Sequence, residues 1–154
     1  MKSTTCFAFK GFSEQQTQSL AAIAREAASS KGRILFQEGR PARLLYCLKK
    51  GEIELLTKVD ETVELPITLL RSEGQFFGTS ALIEPHVYSL SARCKTDCVF
   101  YTINQEDLTT LGRSDPDLGF IIMTHLAKTY LDRLTETRQE LKIHFKTIFK
   151  AMRF

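Results

Sequence analysis

No stretch of this sequence approaches the run of about eighteen apolar residues that spans a bilayer, so no transmembrane helix is expected. The opening residues, MKSTTCFAFKGFSEQQ, hold an apolar run shorter than a signal-peptide core and no small-residue cleavage site, which points away from secretion. Cysteine is scarce. Cys6, Cys47, Cys94 and Cys98 are too scattered for a disulfide framework, and Cys47 lies inside the apolar run LLYCL, as a buried free thiol does. A reducing, cytoplasmic location is the expectation. There is no C-x-x-C pair, and His86, His125 and His144 are far apart with no metal-binding spacing, so neither metal nor haem is expected. The chain also lacks a G-x-S-x-G elbow, a P-loop and a Cys/His nucleophile pair, and nothing pairs two of its carboxylates as acid and base. No catalytic residues are assigned, and an enzyme is not expected. The formal net charge of +3 is too small to mark a nucleic-acid or membrane-surface protein by itself.

What is present suits an ordinary globular domain. At 154 residues the chain is long enough for one hydrophobic core without disulfides or structural metal, and residues 1–154 are read as a single domain. Ser13 and Gln16 form a capping box ahead of a helix over about 13–28, whose Leu20, Ile23, Ala24 and Ala27 share a face; Lys31 and Gly32 close it. A β-roll over about 33–103 follows, built from short apolar runs (RILF, LLYCL, EIELLTKV, ELPITLL) separated by Gly, Pro and Asp. Gly51 supplies a tight hairpin turn after KKG, Asp60 and Glu61 the next, and Pro66 suits an edge strand or a bulge. Two more strands, Val87 to Cys94 and Cys98 to Ile103, join across KTD.

Helices occupy about 104–153. Asn104 caps a short one, and Asp115 with Pro116 opens a second, of roughly thirty to thirty-five residues. A helix that long cannot pack throughout on so small a domain. Tyr130, Leu134, Thr137, Leu141, His144, Ile148 and Ala151 recur at spacings of four and three, a heptad-like seam that favours a homodimer, with Tyr130, Leu134, Leu141 and Ile148 its apolar members. The alternative is that this stripe lies on the chain's own β-roll. Arg133, Arg138, Lys142, Lys146, Lys150 and Arg153, interleaved with Phe145, Phe149 and Phe154, make the end basic and amphipathic; a solvated face is the plain reading, an acidic partner, membrane surface or nucleic acid the other.

Two segments resemble the cyclic nucleotide-binding domain superfamily, including the sensor half of catabolite activator-type regulators. LFQEGRPARLLYCLKKGEIELL is similar to the family pattern of an E-G turn, a strand reading L-Y-x-L and a G-E-[IV] turn, with Gly39 and Gly51 at its structural glycines. EGQFFGTSALIEPHVYSLSARCKTDCVFYTINQEDLTTL is similar to the phosphate-binding cassette, the following hairpin and the B helix. The resemblance implies a mainly β fold with flanking helices: a jelly roll, or double-stranded β-helix, with an N-terminal helix, a short B helix and a long C-terminal helix. Family regulators often carry a helix-turn-helix beyond that helix; none follows here, so direct DNA binding is not expected.

The resemblance also implies a site. The family cassette reads G-E-x-A-L-L and then P-R-[ST]-A: backbone amides cradle the cyclic phosphate, the Glu accepts from the ribose hydroxyl and the Arg pairs with the phosphate. Here Thr79 stands in place of the Glu, and counting back from Ala92 puts Pro85 on the Pro and His86 on the Arg. Both charged contacts are changed, a loss commonly worth a few kcal/mol. The candidate ligand-binding residues are Phe77, Gly78, Thr79, Ser80, Ala81, His86, Val87 and Ser89, with a cyclic nucleotide or another anion as candidate effector. The expected function is a stand-alone regulatory module that relays an effector through a dimerising helix. The alternative is a ligand-free interaction module with a degenerate cassette, and a third reading makes Cys94 and Cys98 a redox pair.

Overall fold

The computed structural model describes residues 11–153, so Cys6 and Phe154 lie outside the described residues. Ser13 caps helix α1 (Glu14–Ile23) through the reciprocal bonds of a capping box: its hydroxyl accepts from the Gln16 amide, and its own amide donates to the Gln16 side chain. The helix is shorter than the 13–28 expected. AREAAS, helix-forming by local propensity, is instead strand β1 (Ala24–Ser29), because the edge of β8 (Cys98–Asn104) offers it a full antiparallel ladder from Ala24 opposite Ile103 to Ser29 opposite Cys98. Satisfying that edge outweighs a weak helical preference.

Eight antiparallel strands form two sheets. Besides β1 and β8 these are β2 (Ile34–Phe36), β3 (Leu44–Lys50), β4 (Ile53–Lys58), β5 (Glu64–Leu70), β6 (Phe76–Phe77) and β7 (Ser91–Cys94). One sheet runs β1-β8-β3-β6, the other β2-β7-β4-β5. The turn at Gly51 is therefore no simple hairpin, since it carries the chain from β3 in one sheet to β4 in the other; KTD likewise takes it from β7 back to β8. These two corners stack. Lys95 donates its amide to the Glu52 carbonyl at 2.9 Å, and the Glu52 amide donates to the Thr96 hydroxyl at 3.0 Å. A Cβ at Gly51 would fall against the Asp97 carbonyl oxygen and 2.7 Å from the Cys98 sulfur, and φ there is +98°. Glycine is what the contact requires. Pro66 lies in edge strand β5 opposite a register shift at Leu55/Leu56, where a missing amide is tolerated.

Two apolar layers result. Phe36, Tyr46, Leu48, Ile53, Leu55, Phe77, Ala92 and Phe100 fill the roll between the sheets. Leu45, Cys47, Tyr101 and Ile103 point the other way, onto Phe12, Leu20, Leu108, Leu118 and Ile122. Because β3 and β8 are covered on both faces, LLYCL is apolar without alternation. Helix α2 (Gln105–Ser114) starts at the Asn104 cap, and α3 (Pro116–Met152) at Asp115, whose carboxylate accepts from the Leu118 amide. Only Leu118, Ile122 and Leu126 of α3 are buried.

The expected strand from Val87 forms only from Ser91. Residues 86–88 run instead beside 39–42: the Gly39 amide donates to the Tyr88 carbonyl, that of Tyr88 to Arg40, and that of Ala42 to His86. Val87 keeps a single bridge, to Pro41.

Candidate functional site

Strand β6 pairs Phe76 and Phe77 with Cys47 and Tyr46, which fixes where the chain leaves the sheet. Gly78 turns it with φ +68°; a Cβ there would stand 2.9 Å from the Tyr46 ring and 3.1 Å from the Leu44 carbonyl. A 3-10 turn, Thr79–Leu82, follows, closed by the Ala81 amide donating to Gly78 and that of Ile83 to Ser80. The turn places Thr79 in a buried position with its hydroxyl 2.9 Å from that of Tyr130 on α3. The Ser80 hydroxyl lies 3.4 Å from that of Ser89 and accepts weakly from the Ser89 amide.

Above the turn is a recess of about 20 Å³ lined by Phe36, Leu55, Gly78, Thr79, Ser80, Tyr88, Ser89, Leu90 and Arg133. Its floor is aromatic. Phe36 and Tyr88 stack with centroids 3.9 Å apart, Tyr46 lies 5.3 Å from Phe36, and the Tyr88 hydroxyl donates to the Leu44 carbonyl at 2.9 Å. Burial pushes the Tyr46 phenol well above its ordinary pKa, with Tyr88 beside it adding to the shift, and burial raises Tyr88 too. Both stay neutral. Arg133 closes the recess from outside the roll. Partial burial lowers its pKa against the attraction of Tyr130 and Glu136, yet a guanidinium remains cationic.

Of the residues expected at the site, Gly78, Thr79, Ser80 and Ser89 come together around this recess. Phe77 and Ala81 lie beneath it in the core, fully buried. His86 and Val87 do not join them. His86, at φ +56°, sets Nδ1 2.9 Å from the Ala81 carbonyl; a carbonyl only accepts, so Nδ1 donates to it, while the Gln105 amide nitrogen lies beside the ring, 3.2 Å from Nδ1 and 3.3 Å from Nε2. It lines a separate polar hollow of about 460 Å³ with Arg43, Pro85, Asn104 and Glu106. His86 stands apart from the recess because the 84–90 segment bonds to 39–42 rather than extending the sheet. His86 thus ties the cassette turn to the first residue of α2. Tyr88 and Arg133 were not singled out for the recess. The signal for Arg133 was a charged residue continuing the stripe Leu118, Ile122, Leu126 one helical repeat further on.

Among the described residues no cluster of His, Cys, Asp and Glu could hold a metal ion, and no helix is long and apolar enough to cross a membrane. Cys94 and Cys98 are both buried, with the Cys98 sulfur 3.2 Å from the carbonyls of Glu52 and Thr96. Burial and the neighbouring Cys98 push the Cys94 thiol up to about 11.

Among proteins of known sequence, the chain is similar to the cAMP-activated global transcriptional regulator CRP of Pasteurella multocida, at 31% identity over 108 residues covering 70% of this chain and 49% of that protein. The chain spans about half the length of the curated relatives it matches. Its fold is shared with the Thermus thermophilus catabolite activator protein, at TM-score 0.73 and 24% identity over 88% of this chain and 61% of that one. It is also shared with the c-di-GMP responsive global regulator CLP of Xanthomonas campestris, at TM-score 0.68 and 23% identity over 82% and 63%. The sequence profile described as the cyclic nucleotide-binding domain matches residues 26–115, from β1 through α2, and so takes in both sheets and the cassette turn. This chain belongs to the cyclic nucleotide-binding domain family.

Proposed function

We propose that the chain is a regulatory module, without catalytic activity and cytoplasmic, that binds a small anionic effector at Gly78, Thr79, Ser80 and Ser89 and relays its presence through α3, along which two copies associate. The 2.9 Å contact between the Thr79 and Tyr130 hydroxyls carries this reading. It joins the cassette turn directly to the long helix, so an occupant that engages Thr79 competes with the contact that holds α3 in its present position. A ligand shifts such an equilibrium only by its differential affinity for the two arrangements. Leu134, Leu141 and Ile148 are about half exposed on α3 and suit a second copy, while Tyr130 serves both surfaces.

Thermal denaturation with cyclic AMP, cyclic GMP and cyclic di-GMP at millimolar concentration tests the first clause. A rise in Tm of about 5 °C or more with one of them is the expected result at saturation. No shift with any of them rejects a cyclic-nucleotide effector. The size of the recess favours a second reading. At about 20 Å³ it has room for little more than a single water, and supports a ligand-free interaction module whose cassette is filled by its own side chains. Mass spectrometry of the denatured purified protein separates the two: a stoichiometric small molecule excludes the second reading.

A further inference from the structure

We infer that Arg133, on the helix rather than in the cassette, is the residue that binds the effector's oxyanion, together with the hydroxyls of Ser80 and Ser89. The inference rests on the reading of the recess as an effector site and names the chemistry of its ligand: a phosphate or phosphodiester oxyanion.

Three observations converge on it. Arg133 lines the recess with Ser80 and Ser89 and is half-buried, yet it has no hydrogen bond or ion pair among the described residues. Asp132, beside it in sequence, pairs with Lys128 at 3.1 Å, and Glu136 acts on Arg133 only through longer-range attraction. A partly desolvated guanidinium with no partner therefore stands at a recess whose lining holds no carboxylate, an arrangement that an oxyanion satisfies. The Ser80 and Ser89 oxygens are 3.4 Å apart, close enough to donate to two oxygens of one tetrahedral group. Thr79 must leave Tyr130 to meet a ligand, whereas the Ser80 and Ser89 hydroxyls hold only a long mutual contact and can turn to an oxyanion directly.

The recess geometry gives Arg133 a second part in the same event. Its other walls are core aromatics, Leu55 of β4 and the tight turn at Gly78, all packed into the roll, together with Ser80 and the Ser89–Leu90 segment. Arg133 is a long, flexible side chain supplied by α3. An occupant enters by displacing it and is then held by it, so binding and helix position are coupled through one residue.

Isothermal titration of the full chain with cyclic AMP, inorganic phosphate and uncharged adenosine tests this on wild type, Arg133→Lys and Arg133→Ala. Cyclic AMP is expected to bind wild type, phosphate to compete with it, and adenosine to fail. Arg133→Ala is expected to weaken cyclic AMP by about tenfold to a hundredfold, the range for a lost charge-assisted contact, with Arg133→Lys in between. Binding of cyclic AMP to Arg133→Ala within about twofold of wild type overturns the role of Arg133 while leaving the effector reading intact. Binding of neither cyclic AMP nor phosphate to wild type overturns both. The unliganded Tm supplies the control for folding: an unpaired Arg133 predicts no loss of Tm in Arg133→Ala, whereas a loss of Tm together with weaker cyclic AMP binding that Arg133→Lys does not partly restore marks Arg133 as structural and overturns the inference.

Discussion

Gly51 shows how much one missing methyl group decides. It sits where two sheet-crossing corners touch, with the Asp97 carbonyl and the Cys98 sulfur in the space a side chain would take. Gly51→Ala is expected to lower unfolding stability by at least about 2 kcal/mol, through both the left-handed backbone and the collision, with the denaturant midpoint falling at unchanged m-value. The Cys94 thiol, at the end of β7, is constrained as well. Because burial holds the Cys94 thiol up at about 11, thiolate is scarce at neutral pH, and its reactivity rises only as pH climbs toward that value. Iodoacetamide at pH 8 is expected to leave Cys94 and Cys98 unlabelled in the folded protein and to label both in denaturant; rapid labelling of the native form would revive a redox role. At this scale the sequence made Gly78, Thr79, Ser80 and Ser89 legible because a tight turn leaves its mark in neighbouring residues. It did not show that His86 lies apart from them or that Arg133 lines the same recess, because one depends on where a loop hydrogen-bonds and the other on where a distant helix crosses the roll.

Secondary-structure elements were legible where their ends carry a mechanism. The Ser13–Gln16 box, the Asn104 cap and the Asp115–Pro116 start are all formed as their side-chain chemistry dictates. The end of α1 was not, since nothing local in AREAAS announces that β8 needs a partner. The apolar face of α3 can be drawn in two registers. The heptad drawn through Tyr130, Leu134, Thr137, Leu141, His144, Ile148 and Ala151 assumes that the seam is independent of the roll. In the structure the large exposed apolar residues include Leu131, Leu134, Leu141, Phe145, Ile148 and Met152, which follow one another at three and four once Arg138 fills the gap. This stripe replaces Tyr130, Thr137, His144 and Ala151 with Leu131, Arg138, Phe145 and Met152, and its single charge at Arg138 resembles the polar interruptions that fix register at some cost in stability. The two registers predict different variants. Phe145→Glu is expected to weaken self-association by at least about tenfold, by burying an unpaired carboxylate, while His144→Glu leaves it nearly unchanged. Light scattering across a concentration series distinguishes them; the reverse order restores the original seam.

The molecule as a whole is a roll with a helix that outreaches it. Helix α3 has 37 residues and so extends about 55 Å, but its buried side chains stop at Leu126 and its half-buried ones at Arg133. From Leu134 to Met152 the helix gains nothing from the roll, and a free helix of that length is marginal in water. Its exposed Leu141, Phe145, Ile148 and Phe149 would offset that cost only against a partner surface. Helicity beyond Arg133 should therefore depend on protein concentration, whereas the ladders of β3 and β8, covered on both faces, should not. Hydrogen exchange measures this directly. At high concentration, amides from 137 to 152 are expected to be protected, and dilution below the dissociation constant should release them at least about tenfold faster while the β3 and β8 amides hold their protection. If an effector acts through Arg133, its addition at fixed concentration should move the same amides, because Arg133 lines the recess and stands at the point where support from the roll ends. Protection of 137–152 that survives dilution and ignores ligand would mean that the distal helix is stable alone, and that neither a second copy nor the recess is needed to order it.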